Sequence, residues 1–225
     1  MNRRAQRQPL DRDQCQALEH AWVQAAKDSH PLNAMVTIRP GGELSPIEHA
    51  QLVAKFWNRL GVWSRRITKS AGPRRAPEGS GASGPSFHCV LVREAAPNGD
   101  RKRYGLGEHF HALVHVPAGQ LSSLAEAVAR WHPADDVQVK PAHQGASRTR
   151  TDKIKSAIGY LTKQRTPQAW WNTPYRRQPG GIVLGKRYRI SASLRPPILK
   201  TSALRPRLPT PNDAKATARS RYGRP

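Results

Sequence analysis

The sequence predicts an α+β fold, an antiparallel sheet with two helices on one face and the other face left open for ligands. Three observations lead there. Short apolar or alternating segments at 34–39, 87–94, 107–117 and 137–140 read as strands punctuated by turn residues. Apolar residues at helical spacing mark helices over 46–66 and 119–131, one after the first strand and one after the third. The resulting order, strand–helix–strand–strand–helix–strand, is that of a ferredoxin-like (RRM-like) sheet.

Each element has a local reason. Residues 1–10 are basic and polar, and 11–28 read as a helix, with Asp11 as cap and Leu18, Trp22 and Ala25 in a stripe. Residues 1–30 are thus expected to form an N-terminal arm and helix, ahead of a domain over 31–195. The first strand, Ala34 to Arg39, is stopped by Pro40-Gly41-Gly42. Ser45-Pro46-Ile47-Glu48 is a capping box with proline at the first helical position, followed by Leu52, Phe56, Leu60 and Trp63. The Gly-, Ser- and Pro-rich stretch 69–85 reads as a long basic loop inside the domain. Phe87 to Glu94 and the strand after Gly107 flank the turn signal Pro97-Asn98-Gly99-Asp100, so they are expected to pair as an antiparallel hairpin. Leu121, Leu124, Val128 and Trp131 form the stripe of the next helix, closed by His132-Pro133; Val137 to Lys140 is a short strand. A third helix is predicted over 152–165, with Thr151 or Asp152 as cap, and one more strand within 182–193. Residues 196–225, rich in Pro and Arg with no apolar period, read as a disordered basic tail.

Charge narrows the function classes. Among 225 residues, 38 are Lys or Arg against 15 Asp or Glu, a formal net charge of +23. That excess exceeds what solubility needs and implies a polyanionic partner, nucleic acid first. Cys15 and Cys89 form no CxxC pair, which excludes a zinc finger and fits a reducing, cytoplasmic setting. Met1 to Pro9 has no apolar stretch behind it, so no secretory leader is expected, and no apolar run is long enough to span a membrane.

The stretch Gly107 to Pro117 carries the first chemical signal. Alternation puts His109, His111 and Leu113 on one face and Phe110, Ala112 and Val114 on the other. Two imidazoles on one face can chelate one ion, and a carboxylate is the natural third ligand. Glu94, across the hairpin, ranks first; Glu108 should point to the opposite face, and Glu43 ranks third. His115 is on the same face but too far along the strand, which leaves it a solvated or DNA-facing role. Two histidines and a carboxylate suit Mg²⁺ or Mn²⁺ acting on phosphate, or another transition metal.

The predicted third helix carries the second signal. Ile154, Ile158 and Leu161 form its apolar stripe, while Tyr160 and Lys163 are neighbours on another face, with Ser156 and Gln164 beside them. A phenol that attacks phosphorus must lose its proton, and an adjacent ammonium favours that.

His109-Phe110-His111 resembles the His-hydrophobe-His motif of the HUH endonucleases, and Tyr160-Leu161-Thr162-Lys163 resembles the Tyr-x-x-Lys motif of rolling-circle replication initiators. Met35-Val-Thr-Ile38 stands loosely in the place of their first motif, and Gly185-Lys186-Arg187-Tyr188 resembles the strand after the catalytic helix, so the resemblance spans about 34–194. It implies a single-tyrosine enzyme that nicks single-stranded or melted origin DNA. Tyr160 would be the nucleophile, Lys163 its phosphate-positioning partner, and His109, His111 and Glu94 the ligands of Mg²⁺ or Mn²⁺. Arg101, Lys102, Arg103, Lys153, Lys155, Arg176, Arg177, Lys186 and Arg187 are the expected DNA contacts. No Gly-x-x-x-x-Gly-Lys-Ser/Thr loop is present, so a helicase, like a polymerase, would come from the host. A single-tyrosine transposase or mobilisation protein shares the chemistry. A non-catalytic DNA-binding relative would instead use Trp57, Trp63, Trp170, Trp171 and Tyr175 for stacking, although Trp57 and Trp63 read as core.

Overall fold

The computed structural model describes residues 6–7, 9–42, 44–70, 87–95, 107–142, 157–166, 183–184 and 186–195. In chain order these form β1 (Gln6–Arg7), α1 (Arg12–Lys27), β2 (Ala34–Arg39) and α2 (Pro46–Ser70), then β3 (Cys89–Glu94), β4 (His109–Val114), α3 (Leu121–Trp131) and β5 (Asp136–Pro141). The last described elements are α4 (Ala157–Leu161), β6 (Val183–Leu184), β7 (Tyr188–Ile190) and a 3₁₀ turn at Ala192–Leu194.

The helix starts follow from their caps. Asp11 accepts from Gln14 N at 2.8 Å while the Gln14 side chain accepts from Asp11 N at 3.3 Å, so two otherwise orphaned donors of α1 are satisfied. The Ser45–Glu48 box does the same for α2, with Ser45 N donating to Glu48 Oε2 at 2.7 Å and Glu48 N to Ser45 Oγ at 3.3 Å. Pro40-Gly41 has a reason beyond turning the chain. A Cβ on Gly41 would stand 2.0 Å from the Ala134 carbonyl oxygen, so only glycine lets the two backbones approach there.

Five strands form one antiparallel sheet in the order β5-β2-β4-β3-β7; β1 and β6 pair separately as a two-stranded ribbon. The hairpin expected between 87–94 and the histidine strand is present as β3 and β4. The single strand expected within 182–193 is instead divided: Val183–Leu184 joins β1, and Tyr188–Ile190 joins the edge of the main sheet beside β3.

Alternation sends the two sides of each strand into two cores. Val36, Leu91, Phe110 and Ala112 pack against Phe56 and Leu60 of α2 and Leu124 and Val128 of α3. Each fully buried Leu or Phe contributes about 1.5–3 kcal/mol. The opposite face was expected to be open, and it is not. Val90, Val92 and Leu113 there pack against Cys15, Leu18, Ala21 and Ala25 of α1 and Ala157, Ile158 and Leu161 of α4. The helix read as part of an N-terminal arm is therefore a wall of the second core. Residues 152–156 of the helix expected over 152–165 lie outside the described residues. Its C-terminal end is at Leu161, because Thr162 Oγ1 donates back to the carbonyls of Ile158 and Gly159 and Lys163 N turns to Tyr160 O. Tyr160 is on the helix and Lys163 is in the turn after it.

Candidate metal centre and tyrosine site

The register of β3 against β4 sets Glu94 directly opposite His109 and Val92 opposite His111. Alternation puts Glu94, His109 and His111 on the α1/α4 face, at the end of the sheet beyond its apolar core. Glu94 Oε2 lies 3.3 Å from His109 Nε2 and 3.7 Å from His111 Nε2. Among the described residues, these are the one group of three His, Cys, Asp or Glu side chains whose ligand atoms all fall within 4.8 Å of each other.

Hydrogen bonds on the far side of each imidazole decide which nitrogen faces the centre. The carbonyl of Gly107 can only accept, so the His109 Nδ1 at 3.0 Å is the protonated one, and a neutral ring then presents the Nε2 lone pair. Gly107 has φ +65°, the left-handed region that glycine adopts without strain. On β2, Thr37 Oγ1 is 2.8 Å from His111 Nδ1 and can accept its proton. His111 Nε2 and Glu94 Oε1 are buried without hydrogen-bond partners. Metal-ligating histidines are oriented in this way, by a carbonyl or hydroxyl on the nitrogen away from the ion. The residues therefore fit a divalent cation: three donor atoms converge, one of them anionic, and two of the donors are held in place from behind.

Lys163 Nζ is 3.0 Å from Glu94 Oε2 and 3.5 Å from the centre of the Tyr160 ring. That ring meets His111 edge to face, with centroids 5.2 Å apart. Burial by itself would raise the Glu94 carboxyl. The contacts from His109 and His111 and the charge of Lys163 outweigh it and hold Glu94 far below the usual carboxylate range. Burial lowers the His111 imidazole despite the opposing pull of Glu94, which favours the neutral form that can act as a ligand.

Glu108 faces the other core, as alternation required. Arg93 Nε donates to its Oε1 at 2.6 Å, and the two form an ion pair buried on both sides. His115 donates from Nδ1 to the Pro31 carbonyl at 3.0 Å and stands edge-on to His30; it is half-buried, away from the metal centre. Lys186 is exposed. Arg187, expected to contact DNA, is instead 2 % exposed, its Nη1 donating to Arg93 O at 3.1 Å and Gln164 Oε1 at 3.3 Å. Its position beside the strand end makes it a structural tie. Trp63 is core, and Trp57 packs on Phe87, as expected. Glu43, Arg101, Lys102, Arg103, Lys153, Lys155, Trp170, Trp171, Tyr175, Arg176 and Arg177 lie outside the described residues.

Two participants escaped the sequence reading. Thr37 looked like an ordinary strand threonine, and Gln164 was placed beside the tyrosine without a task. The first is signalled only once β2 is known to neighbour β4, which sets Thr37 opposite His111. Comparison with family models, with curated proteins and with solved structures finds no match to this chain. No helix among the described residues is long and apolar enough to cross a membrane.

Proposed function

We propose that this protein is a metal-dependent endonuclease of the HUH type, which nicks single-stranded or locally melted DNA through one tyrosine and so initiates rolling-circle replication. The observation that carries the reading is the meeting of Tyr160 and Lys163 with the Glu94–His109–His111 centre, although Tyr160 is 49 positions along the sequence from His111. The strand order supports a ferredoxin-like sheet, since its first four strands in sequence lie in the spatial order four, one, three, two. The net charge of +23 supports a nucleic-acid partner.

In this reading Glu94, His109 and His111 hold Mg²⁺ or Mn²⁺. A bound cation supplies Lewis-acid polarisation of the scissile phosphate. The phenolic oxygen of Tyr160 forms the new bond to phosphorus and the bond from phosphorus to the 3′ oxygen breaks. The proton lost by the phenol is balanced by the one gained at the 3′-hydroxyl. The product is a 5′-phosphotyrosine, and the free 3′-OH can prime synthesis or reverse the step. Lys163, close above the ring, is placed to neutralise a phosphate oxygen of the adduct.

The test is a denaturing gel of 5′- and 3′-labelled single-stranded origin DNA incubated with protein and Mn²⁺. The expected product is a covalent protein–DNA band carrying the 3′ label, the protein being joined to the 5′ phosphate of the downstream fragment, abolished by Tyr160→Phe. A Tyr160→Phe variant that forms the adduct at the wild-type rate overturns the assignment. The same experiment separates a DNA-binding relative, which would shift the DNA without joining to it.

A further inference from the structure

Gln164 is 5 % exposed, and its amide makes the pair of hydrogen bonds that a neighbouring strand residue would make. Its Oε1 accepts from Ala95 N at 3.3 Å, and its Nε2 donates to Ala95 O at 3.1 Å. Ala95 follows Glu94 directly, so the amide caps the strand that carries the carboxylate ligand. The same Oε1 accepts from Arg187 Nη1, which also donates to Arg93 O. The Gln164 backbone is held as well: its carbonyl accepts from Leu10 N at 3.1 Å, and Thr166 N donates to Leu10 O at 2.8 Å. The side chain therefore joins the turn bearing Lys163 to the end of β3 and to β7's approach, and the backbone joins it to the N-terminal segment.

Ala157, Ile158 and Leu161 of α4 are held by the second core, whereas Lys163 lies in the turn after the helix, whose described tethers are those of Gln164 and its neighbours. The task needs a donor and an acceptor on one planar group at the reach of glutamine. Asparagine is a methylene shorter, and glutamate lacks the donor that Ala95 O requires.

We propose that Gln164 is a positioning residue that fixes the Tyr160–Lys163 turn against the Glu94–His109–His111 centre. Its kinetic consequence rests on the endonuclease reading, whereas its structural consequence does not. The ligands themselves sit on β3 and β4, which pair with each other without help from Gln164, so metal binding is expected to survive its loss.

The experiment compares full-length wild type with Gln164→Ala and Gln164→Glu. Hydrogen–deuterium exchange followed by mass spectrometry should show faster exchange in both variants over residues 157–166, with β3 and β4 as protected as in wild type. Calorimetric titration with Mn²⁺ should give an unchanged affinity. The rate of adduct formation at saturating DNA should fall about 10²-fold, the order expected for a misplacement of about 1 Å, with the DNA concentration at half-maximal rate unchanged. Exchange over 157–166 as slow in Gln164→Ala as in wild type overturns the proposal, whether or not the protein nicks DNA. An equal loss of protection across β3, β4 and 157–166, together with lost Mn²⁺ affinity, also overturns it, since it would make Gln164 a general fold residue. Wild-type protein that binds Mn²⁺ and forms no adduct sinks the endonuclease reading and leaves the exchange result to judge the clamp.

Discussion

At the scale of residues, Thr37 orients one of the candidate ligands without being one. Its hydroxyl is 2.8 Å from His111 Nδ1, on a strand residue only 4 % exposed. Thr37→Val keeps the shape and removes the acceptor. The His111 ring is then free to shift its proton to Nε2, where it would point at the centre in place of a lone pair. Mn²⁺ affinity measured by calorimetry should fall about 10–100-fold, the usual cost of losing such a partner, while Thr37→Ser should retain it. Unchanged affinity in the valine variant would mean that His111 is oriented by packing alone. The candidate ligands were legible in the sequence because their clustering is local. A spacing of two puts His109 and His111 on one face, and a hairpin brings Glu94 opposite His109. Thr37 was not legible because its neighbour is 74 residues away, and nothing in a Thr within Met35-Val-Thr-Ile38 distinguishes a hydrogen-bonding hydroxyl from a β-branched filler. Arg187 misled for the opposite reason: an arginine in a basic chain reads as a surface charge, and only tertiary structure reveals the carbonyl it serves.

At the scale of elements, the main sheet separates two kinds of buried chemistry. One face carries the candidate centre; the other carries the Arg93–Glu108 pair near the same end of β3 and β4. Arg93 Nη1 also donates to the Leu184 carbonyl, so the pair connects the hairpin to β6. Burial raises the Glu108 carboxyl and Arg93 pulls it back only in part, which marks the pair as costly to desolvate. Removing one partner is therefore worse than removing both. Glu108→Ala should destabilise by about 3–5 kcal/mol in urea unfolding, because Arg93 is left buried and unpaired, whereas Arg93→Met with Glu108→Leu should be near neutral. Equal losses in the two variants would show that the cost lies in packing. Strand and helix segments were readable because caps and alternation are local signals, as Asp11, Ser45 and the β3–β4 hairpin show. The covering of the second face was not. The stripe of α1 says that Leu18 and Ala25 are buried but not which sheet face buries them, and the ferredoxin-like order by itself accounts for only two helices.

At the scale of the whole molecule, the charge of +23 and the nine histidines make acid a stress of two different kinds. The first is general: each proton taken up adds to a surplus that already repels itself, and salt screens that repulsion. The second is specific. Burial lowers the His49 imidazole below its ordinary 6.5, with the charge of Arg93 adding to it and Asp135 and Glu48 opposing. Burial lowers His115 as well, with His30 adding to it and the bond to Pro31 opposing. In both cases the unfolded chain binds a proton more readily than the folded one. Stability is therefore complete above about pH 6.5 and is lost as pH falls from there through the lowered folded values. The melting temperature should be lower at pH 5.5 than at pH 7.5, by about 2–4 °C for each kcal/mol lost in a chain of this size. Scanning fluorimetry in 0.1 and 0.5 M NaCl separates the two causes. Buried histidines are poorly screened, so the drop should persist in high salt, and His49→Gln should reduce it. A drop that disappears in 0.5 M NaCl would assign the acid sensitivity to surface repulsion, and His49 and His115 would then have no part in it.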